Sequence, residues 1–258
     1  METWTPAWIA KGNTSIGADA MKTKTILISI VALMCCIRLA AAKGDLELHF
    51  IDVGQGDAAL IVSPGGETVL VDAADRPQAY RVVAYLDQVG LTNVEYFISS
   101  HYDADHIGGV ERVLSQFPVE RVSFDRGTDA VPPLFTNYVE TVGAKRKTAL
   151  EGSSLTLDAN LTQPVTINFI ARNGHGLEKV KNENDRCLVF VLHYGQFDAM
   201  FGGDLSGQNT SSYRDVETAL AQDVGQVEVY KVHHHGSRNN SNSNLVSQIK
   251  PKSLFENP

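Results

Sequence analysis

Apolar residues along this chain come in short runs, each closed by polar or glycine-rich punctuation. Residues 45–52 (DLELHFID) alternate apolar and polar, as a half-buried strand does. Gly54-Gln55-Gly56-Asp57 turns the chain, residues 58–62 (AALIV) make a second run, and residues 68–71 (TVLV) a third that ends on Asp72. The pattern predicts a meander of antiparallel strands. Asp75 and Pro77 mark a helix start, Val82, Val83, Leu86 and Val89 give that helix an apolar stripe, and Gly90 ends it. A strand at 94–98 runs into Ser99-Ser100-His101-Tyr102-Asp103-Ala104-Asp105-His106, and Gly108-Gly109 opens a helix at 110–117. Strands are expected at 121–124, 165–170, 187–193, 199–202 and 227–232. Helices are expected at 135–142, set like a cap beside the polar loops, and at 215–224 and 244–249. Strands and helices in this order predict two sheets packed face to face with helices outside.

The polar residues collect where strands end. His101, Asp103 and Asp105 sit at alternate positions, which share one face if the segment is extended, and His106 is adjacent. Two imidazoles and two carboxylates packed so densely between a buried strand and a helix need a compensating charge, and a metal ion supplies one. A second cluster, His233-His234-His235-Gly236-Ser237, also follows an apolar strand. Neighbouring side chains on an extended chain point to opposite faces. The expectation is therefore one metal ligand, one supporting or acid/base group and one residue turned away. Phe201-Gly202-Gly203-Asp204 places a carboxylate at a strand end, suited to bridge two cations. Asp52 and Asp72 have the same strand-end position, and Asp72 is read as orienting a ligand histidine. Two divalent ions can hold a hydroxide as nucleophile, so no serine or cysteine nucleophile is required. None is evident: the chain shows no nucleophile elbow, no persuasive Ser-His-Asp spacing and no phosphate-binding glycine loop.

Composition narrows the setting. Residues 21–42 combine Met-Lys-Thr-Lys, a nearly pure apolar run and Ala40-Ala41-Ala42, which reads as a secretory signal cleaved after Ala42, with Met21 a candidate start beside Met1. If left uncleaved, the same segment is a membrane anchor. Residues 1–42 are thus an extension and signal, and 43–258 a single exported domain with no membrane-spanning part. The whole chain carries 22 basic and 30 acidic side chains; four and two of these precede Lys43, so the domain itself has a net charge of −10. That is a poor footprint for gripping long nucleic acid, although a small anionic substrate at a metal centre remains compatible. Cys35 and Cys36 lie in the leader, which leaves Cys187 alone and excludes a disulfide or a cysteine-based zinc site in the domain. Nothing in the sequence indicates an oligomeric state.

Residues 100–109 (SHYDADHIGG) resemble the metal motif of the metallo-β-lactamase superfamily, with Asp103 standing where the second histidine is usual. Together with 50–58 (FIDVGQGDA), 201–205 (FGGDL) and 231–237 (KVHHHGS), they look like the hydrolase domain of the ComEC competence family. The resemblance implies an αββα sandwich, an α/β fold of two mixed sheets flanked by helices. It implies two divalent ions, zinc or, given the harder ligand set, manganese. By position His101 and Asp103 would bind the first ion; Asp105, His106 and His235 the second; and Asp204 both. Asp105 and His234 would be the catalytic groups, His234 as general acid or substrate contact. Asp52, Asp57, Asp72, Asn184 and Ser237 would support them. Asn184 and Asp185 fall where many members carry a further histidine. The family pattern also continues past Glu256-Asn257-Pro258 with a Tyr-Gly-His-Pro segment. The implied activity is hydrolysis of a phosphoester, foremost a phosphodiester, small or polymeric. The alternatives are a lactone or β-lactam hydrolase and a metal-poor binding module.

Overall fold

The computed structural model describes residues 8–12 and 44–256. The expected export segment at 21–42 lies outside the described residues. One sheet runs in chain order: β1 (Trp8–Gly12), β2 (Leu46–Phe50), β3 (Ala59–Val62), β4 (Thr68–Val71), β5 (Val94–Ile98), β6 (Val119–Asp125) and β7 (Arg146–Thr148). The other has β8 (Ser154–Leu157), β9 (Val165–Ala171), β10 (Val189–Tyr194), β11 (Phe197–Phe201), β12 (Val229–Lys231) and β13 (Ser253–Phe255), also side by side in chain order. Each sheet begins antiparallel and becomes parallel, from β4 onward in the first and from β11 onward in the second.

Parallel neighbours need a crossover, and helices supply each one. α1 (Ala79–Val89) joins β4 to β5, α2 (Ala104–Ile107) and α3 (Val110–Gln116) join β5 to β6, and α4 (Phe135–Val142) joins β6 to β7. α5 (Val216–Leu220) and α6 (Ser243–Ile249) do the same for β11, β12 and β13. Loops leaving the carboxyl ends of parallel strands therefore gather at one edge. Those after β4, β5, β11 and β12 contain the polar clusters expected to hold metal.

Strand alternation sorts the core into layers. Ala59, Ile61, Val69, Val71, Tyr96 and Ile98 face Leu155, Ile167, Phe169, Phe190 and Phe201 between the sheets. Phe190 stacks on Phe201 with ring centroids 4.9 Å apart. The opposite face of the first sheet, with Leu60, Leu70 and Phe97, packs on α1, α3 and α4, and that of the second, with Val191, Met200 and Tyr230, packs on α5 and α6. This is the expected αββα sandwich. Burial on both faces explains why the central strands read as continuous apolar runs.

Several boundaries differ from expectation for local reasons. Asp75 does not cap α1; its carboxylate takes the adjacent Arg76 N–H, and a turn at 76–78 delays the helix to Ala79. α5 is shorter than 215–224, and Asp215 caps it by accepting from Thr218 N–H at 2.9 Å. α4 packs against the 100–106 loop, with the Phe135 ring 4.7 Å from Tyr102. β7 (RKT) has no apolar residue to announce it and exists because Ser123–Asp125 offers it an edge. Among the described residues, no helix is long and apolar enough to cross a membrane.

The sheet interface should dominate stability. Phe190→Ala, in a site 1% exposed, is expected to cost about 3–5 kcal/mol. A lower denaturant midpoint at unchanged slope would show it; an unmoved midpoint would deny that the inner faces are packed as described.

Candidate metal centre

Asp72 leaves β4 with a left-handed φ of 56° and turns its carboxylate under the β5 loop. There it accepts Ser100 N–H at 2.8 Å, the Ser100 hydroxyl at 2.6 Å and His106 Nδ1–H at 2.9 Å. The serine hydroxyl, having given its proton to Asp72, accepts from His101 Nδ1–H at 3.0 Å. Hydrogen bonds that lead to one buried carboxylate thus hold the Nδ1 atoms of two histidines, and both rings turn Nε2 to the same space. Their rings lie 4.0 Å apart and are fully buried. His101 Nε2 is 3.5 Å from Asp103 Oδ2, and His106 Nε2 is 3.1 Å from Asp204 Oδ1.

The extended geometry expected of 101–105 ends at Asp103, which becomes the residue preceding α2. The helical turn then swings Asp105 toward His235, Oδ2 to Nε2 at 3.4 Å, while Asp103 stays 43% exposed beside His101. Asp105 is held from behind as well. Gly56, with φ 117°, lets Asp57 N–H reach the Asp105 carbonyl at 3.0 Å, where a Cβ on Gly56 would lie 2.5 Å from that oxygen.

The histidine triplet is not extended either. His234 (φ 51°, ψ 50°) and His235 (φ 49°, ψ 40°) are both left-handed, followed by Gly236 at φ 69°. Two such residues in succession cost of order 1–3 kcal/mol each and persist only where the surroundings enforce them. The coil turns both rings onto Asp204: His235 Nε2 is 3.5 Å from Oδ1, and His234 Nε2 is 3.6 Å from Oδ2. His233 points away into the interior and donates Nδ1–H to Glu217 at 2.6 Å. His235 Nδ1 faces Asp57 Oδ1 at 3.4 Å, and the other oxygen of Asp57 takes the Lys231 ammonium at 2.5 Å.

Donor atoms of Asp105, His106, Asp204 and His235 all lie within 4.8 Å of one another, with Asp57, Asp72 and His106 forming a second such group beneath. His101 and Asp103 stand beside the first group. Asn184 is buried in a short turn with its amide nitrogen 3.4 Å from His234 Nδ1. Asp185 is turned away to the Lys181 and Arg214 amides. Ser237 closes the histidine turn through its N–H on the His234 carbonyl. Asp52 is not brought to the cluster; it accepts from Gly54 N–H and Arg81.

The donor set fits divalent cations. Nε2 of His101, His106 and His235 and Oδ1 of Asp204 are buried, and none is aligned for a hydrogen bond. Burial alone would favour neutral forms, yet the charges here overrule it. Burial opposes ionisation of Asp204, but His106, His101 and His235 draw its carboxyl well below the usual range. Against the same burial, Asp204 and Asp72 push His106 well above an ordinary histidine. His235 is raised to about 9 by Asp105 and Asp57 despite its burial. Lys231 and His235 hold Asp57 well below the carboxylate range, although burial acts the other way.

Lys231, Glu217 and Asn240 escaped the sequence reading. Each looks like an ordinary strand, helix or loop residue until the fold buries it. Lys231→Met should destabilise the chain by roughly 3–5 kcal/mol, since it strands a buried Asp57 charge, and the double variant Asp57→Asn/Lys231→Met should recover most of that loss. Strictly additive denaturation energies would show that the pair is not coupled.

A family model described as the metallo-beta-lactamase superfamily matches residues 51–254. Recombination protein 2 of Haemophilus influenzae is 26% identical over 215 residues, covering 81% of this chain and 24% of that protein. ComE operon protein 3 of Bacillus subtilis is 22% identical over 255 residues, covering 92% of this chain and 31% of that one. The chain therefore spans a quarter to a third of the length of these relatives. Among solved structures, the metallo-beta-lactamase SMB-1 bound to 2-mercaptoethanesulfonate superposes with a TM-score of 0.50 at 18% identity, over 74% of this chain and 77% of that one. A metallo-beta-lactamase from Cronobacter sakazakii, a mutant of its HARLDQ motif, gives 0.50 at 14% identity, over 71% and 75%. With the family model spanning well over half of its residues and the αββα layers in place, this chain belongs to the metallo-beta-lactamase superfamily.

Proposed function

We propose that the chain is a binuclear metal-dependent phosphodiesterase. The observation that carries this is the convergence of donor atoms from Asp105, His106, Asp204 and His235, the last three presenting buried atoms with no hydrogen-bond partner. In this reading those four hold one divalent ion, zinc or manganese, and His101 and Asp103 share the other with Asp204. Two ions so placed supply an activated water and polarise the phosphoryl oxygen. Asp72, through Ser100 and His106, and Asp57, through His235, keep the ligand nitrogens aimed inward. Asp105, 24% exposed, is the most open of these four ligands and takes the proton that the attacking water gives up. The chemistry does not run through Cys187, because burial and the nearby Asp204 charge push its thiol well above its ordinary range.

A phosphodiester as the bond class is supported by the motif likeness of 100–109 and 231–237 and by a relative named for recombination. The second relative, named for the ComE operon, supports a competence-related setting. The acidic balance, −8 over the whole chain, favours a small or wall-type phosphodiester over long DNA. Export by residues 21–42 would put the reaction outside the cytoplasm.

The test is metal analysis of the purified full chain alongside turnover of bis(p-nitrophenyl) phosphate with zinc or manganese added. About two ions per chain are expected. Turnover should be lost to a chelator and fall by more than about 100-fold in Asp105→Asn. Unchanged turnover in that variant would refute the site, and hydrolysis of a lactone but no phosphodiester would move the substrate class.

A further inference from the structure

We propose that the rim built from the second sheet's loops is a binding surface for a single flexible phosphodiester chain, which leaves the metal centre over that rim alone. The inference rests on the phosphodiesterase reading and deepens it from a bond to a chain. The metal centre lies between the loops of the two sheets, and those loops differ in charge. On the first sheet's side, residues 51–58, 72–78, 99–109 and 126–134 hold seven aspartates against two arginines, Arg76 and Arg126. Both arginines are engaged. Arg126 is buried on Glu183, and Arg76 stands 3.7 Å from Glu111. Farther back, Arg112 shares a surface cleft with Glu111. An anionic chain finds repulsion on this side.

The second sheet's side is the reverse. Lys179 and Lys181 stand before β10, Arg214 before α5 and Arg238 after the histidine coil, and none of the four forms an ion pair among the described residues. Their neighbouring acids are turned elsewhere. Asp185 is buried on the amides of Lys181 and Arg214 at 2.8 and 2.9 Å, Glu183 holds Arg126, and Asp215 caps α5, which leaves Glu178 facing water. Hydrogen bonds join the three loops into one surface. Arg214 Nε donates to the Lys179 carbonyl at 3.2 Å, Asn182 Nδ2 to the Ser212 carbonyl at 2.8 Å and Gln208 Nε2 to the Arg238 carbonyl at 3.0 Å. That surface begins at the metal centre, because Asn240 Nδ2 donates to the Asp204 carbonyl at 3.1 Å and the Asn184 amide lies 3.4 Å from His234. Lysine and arginine side chains so placed neutralise successive phosphates and release their counterions. One chain can lie on this rim alone, whereas a duplex crossing the edge would bring its other strand onto the aspartates of the first.

Fluorescence anisotropy of an end-labelled phosphorothioate oligothymidylate, which carries one charge per linkage and resists hydrolysis, tests this on the full chain. The double variant Lys179→Asn/Arg238→Gln, with asparagine suited to the left-handed φ of 58° at position 179, should bind at least about tenfold more weakly at low salt. The slope of log affinity against log salt should shrink by about 1.4, as for two lost phosphate contacts on a single strand. Arg76→Gln should bind as wild type does, and the matching duplex should bind more weakly than the single strand. The double variant should keep its turnover of bis(p-nitrophenyl) phosphate within about twofold of wild type. Unchanged affinity and salt slope in the double variant, or an equal loss in Arg76→Gln, would overturn the rim, and turnover of the small diester would then leave the phosphodiesterase reading standing. Wild type that fails to bind the oligothymidylate would overturn the rim as well.

Discussion

Asp204 is nearly excluded from water, yet it must remain ionised with one oxygen that no hydrogen bond satisfies. An isolated carboxylate in that position would take up a proton. It stays charged because three imidazoles and, in the proposed loaded state, two cations converge on it. The loops after β4, β5, β11 and β12 are arranged around that requirement. Each contributes one polar segment to the edge where the parallel strands end, and each is shaped by close approach to its neighbour. Gly203, at φ 53°, comes so near Ser100 that a Cβ there would lie 2.6 Å from its hydroxyl.

A second layer of buried charge keeps these loops from relaxing. Glu183 accepts the Tyr102 amide at 2.9 Å while forming a two-pronged pair with Arg126, which is fully buried and stacked 4.2 Å above the Tyr102 ring. This pins the middle of the 100–106 loop to the segment that carries Asn184. Glu217 does the same for the histidine coil, receiving His233 Nδ1–H and the amides of Ser241 and Asn242. Buried pairs of this kind contribute little net stability against apolar replacements, but losing one partner is costly, so they fix one loop arrangement over its alternatives.

Lys231 and Asp57 link the two ends of the domain sequence beneath the site, 174 positions apart. The ammonium lets Asp57 and Asp72 sit together under His106 and His235. His106 and His235 are therefore oriented by carboxylates whose own charge is balanced from the strand behind them.

The sequence by itself determined the layers and most strand and helix positions, because burial on both sheet faces writes long apolar runs and helices write a stripe of period 3.6. It also marked which strand ends carry donors, since His/Asp clusters as dense as 101–106 would be costly to bury after an apolar strand without a cation to balance them. Only the tertiary structure decided which donors meet. Asp52 shares the strand-end logic of Asp72 yet faces Arg81, because the turn at Gly54 carries it to the outside. His234 and His235 share a direction only because consecutive left-handed backbone overrides strand alternation. Lys231, Glu217, Arg126 and Asn240 gain their roles from partners 174, 16, 57 and 36 positions away, and local pattern has no access to such separations.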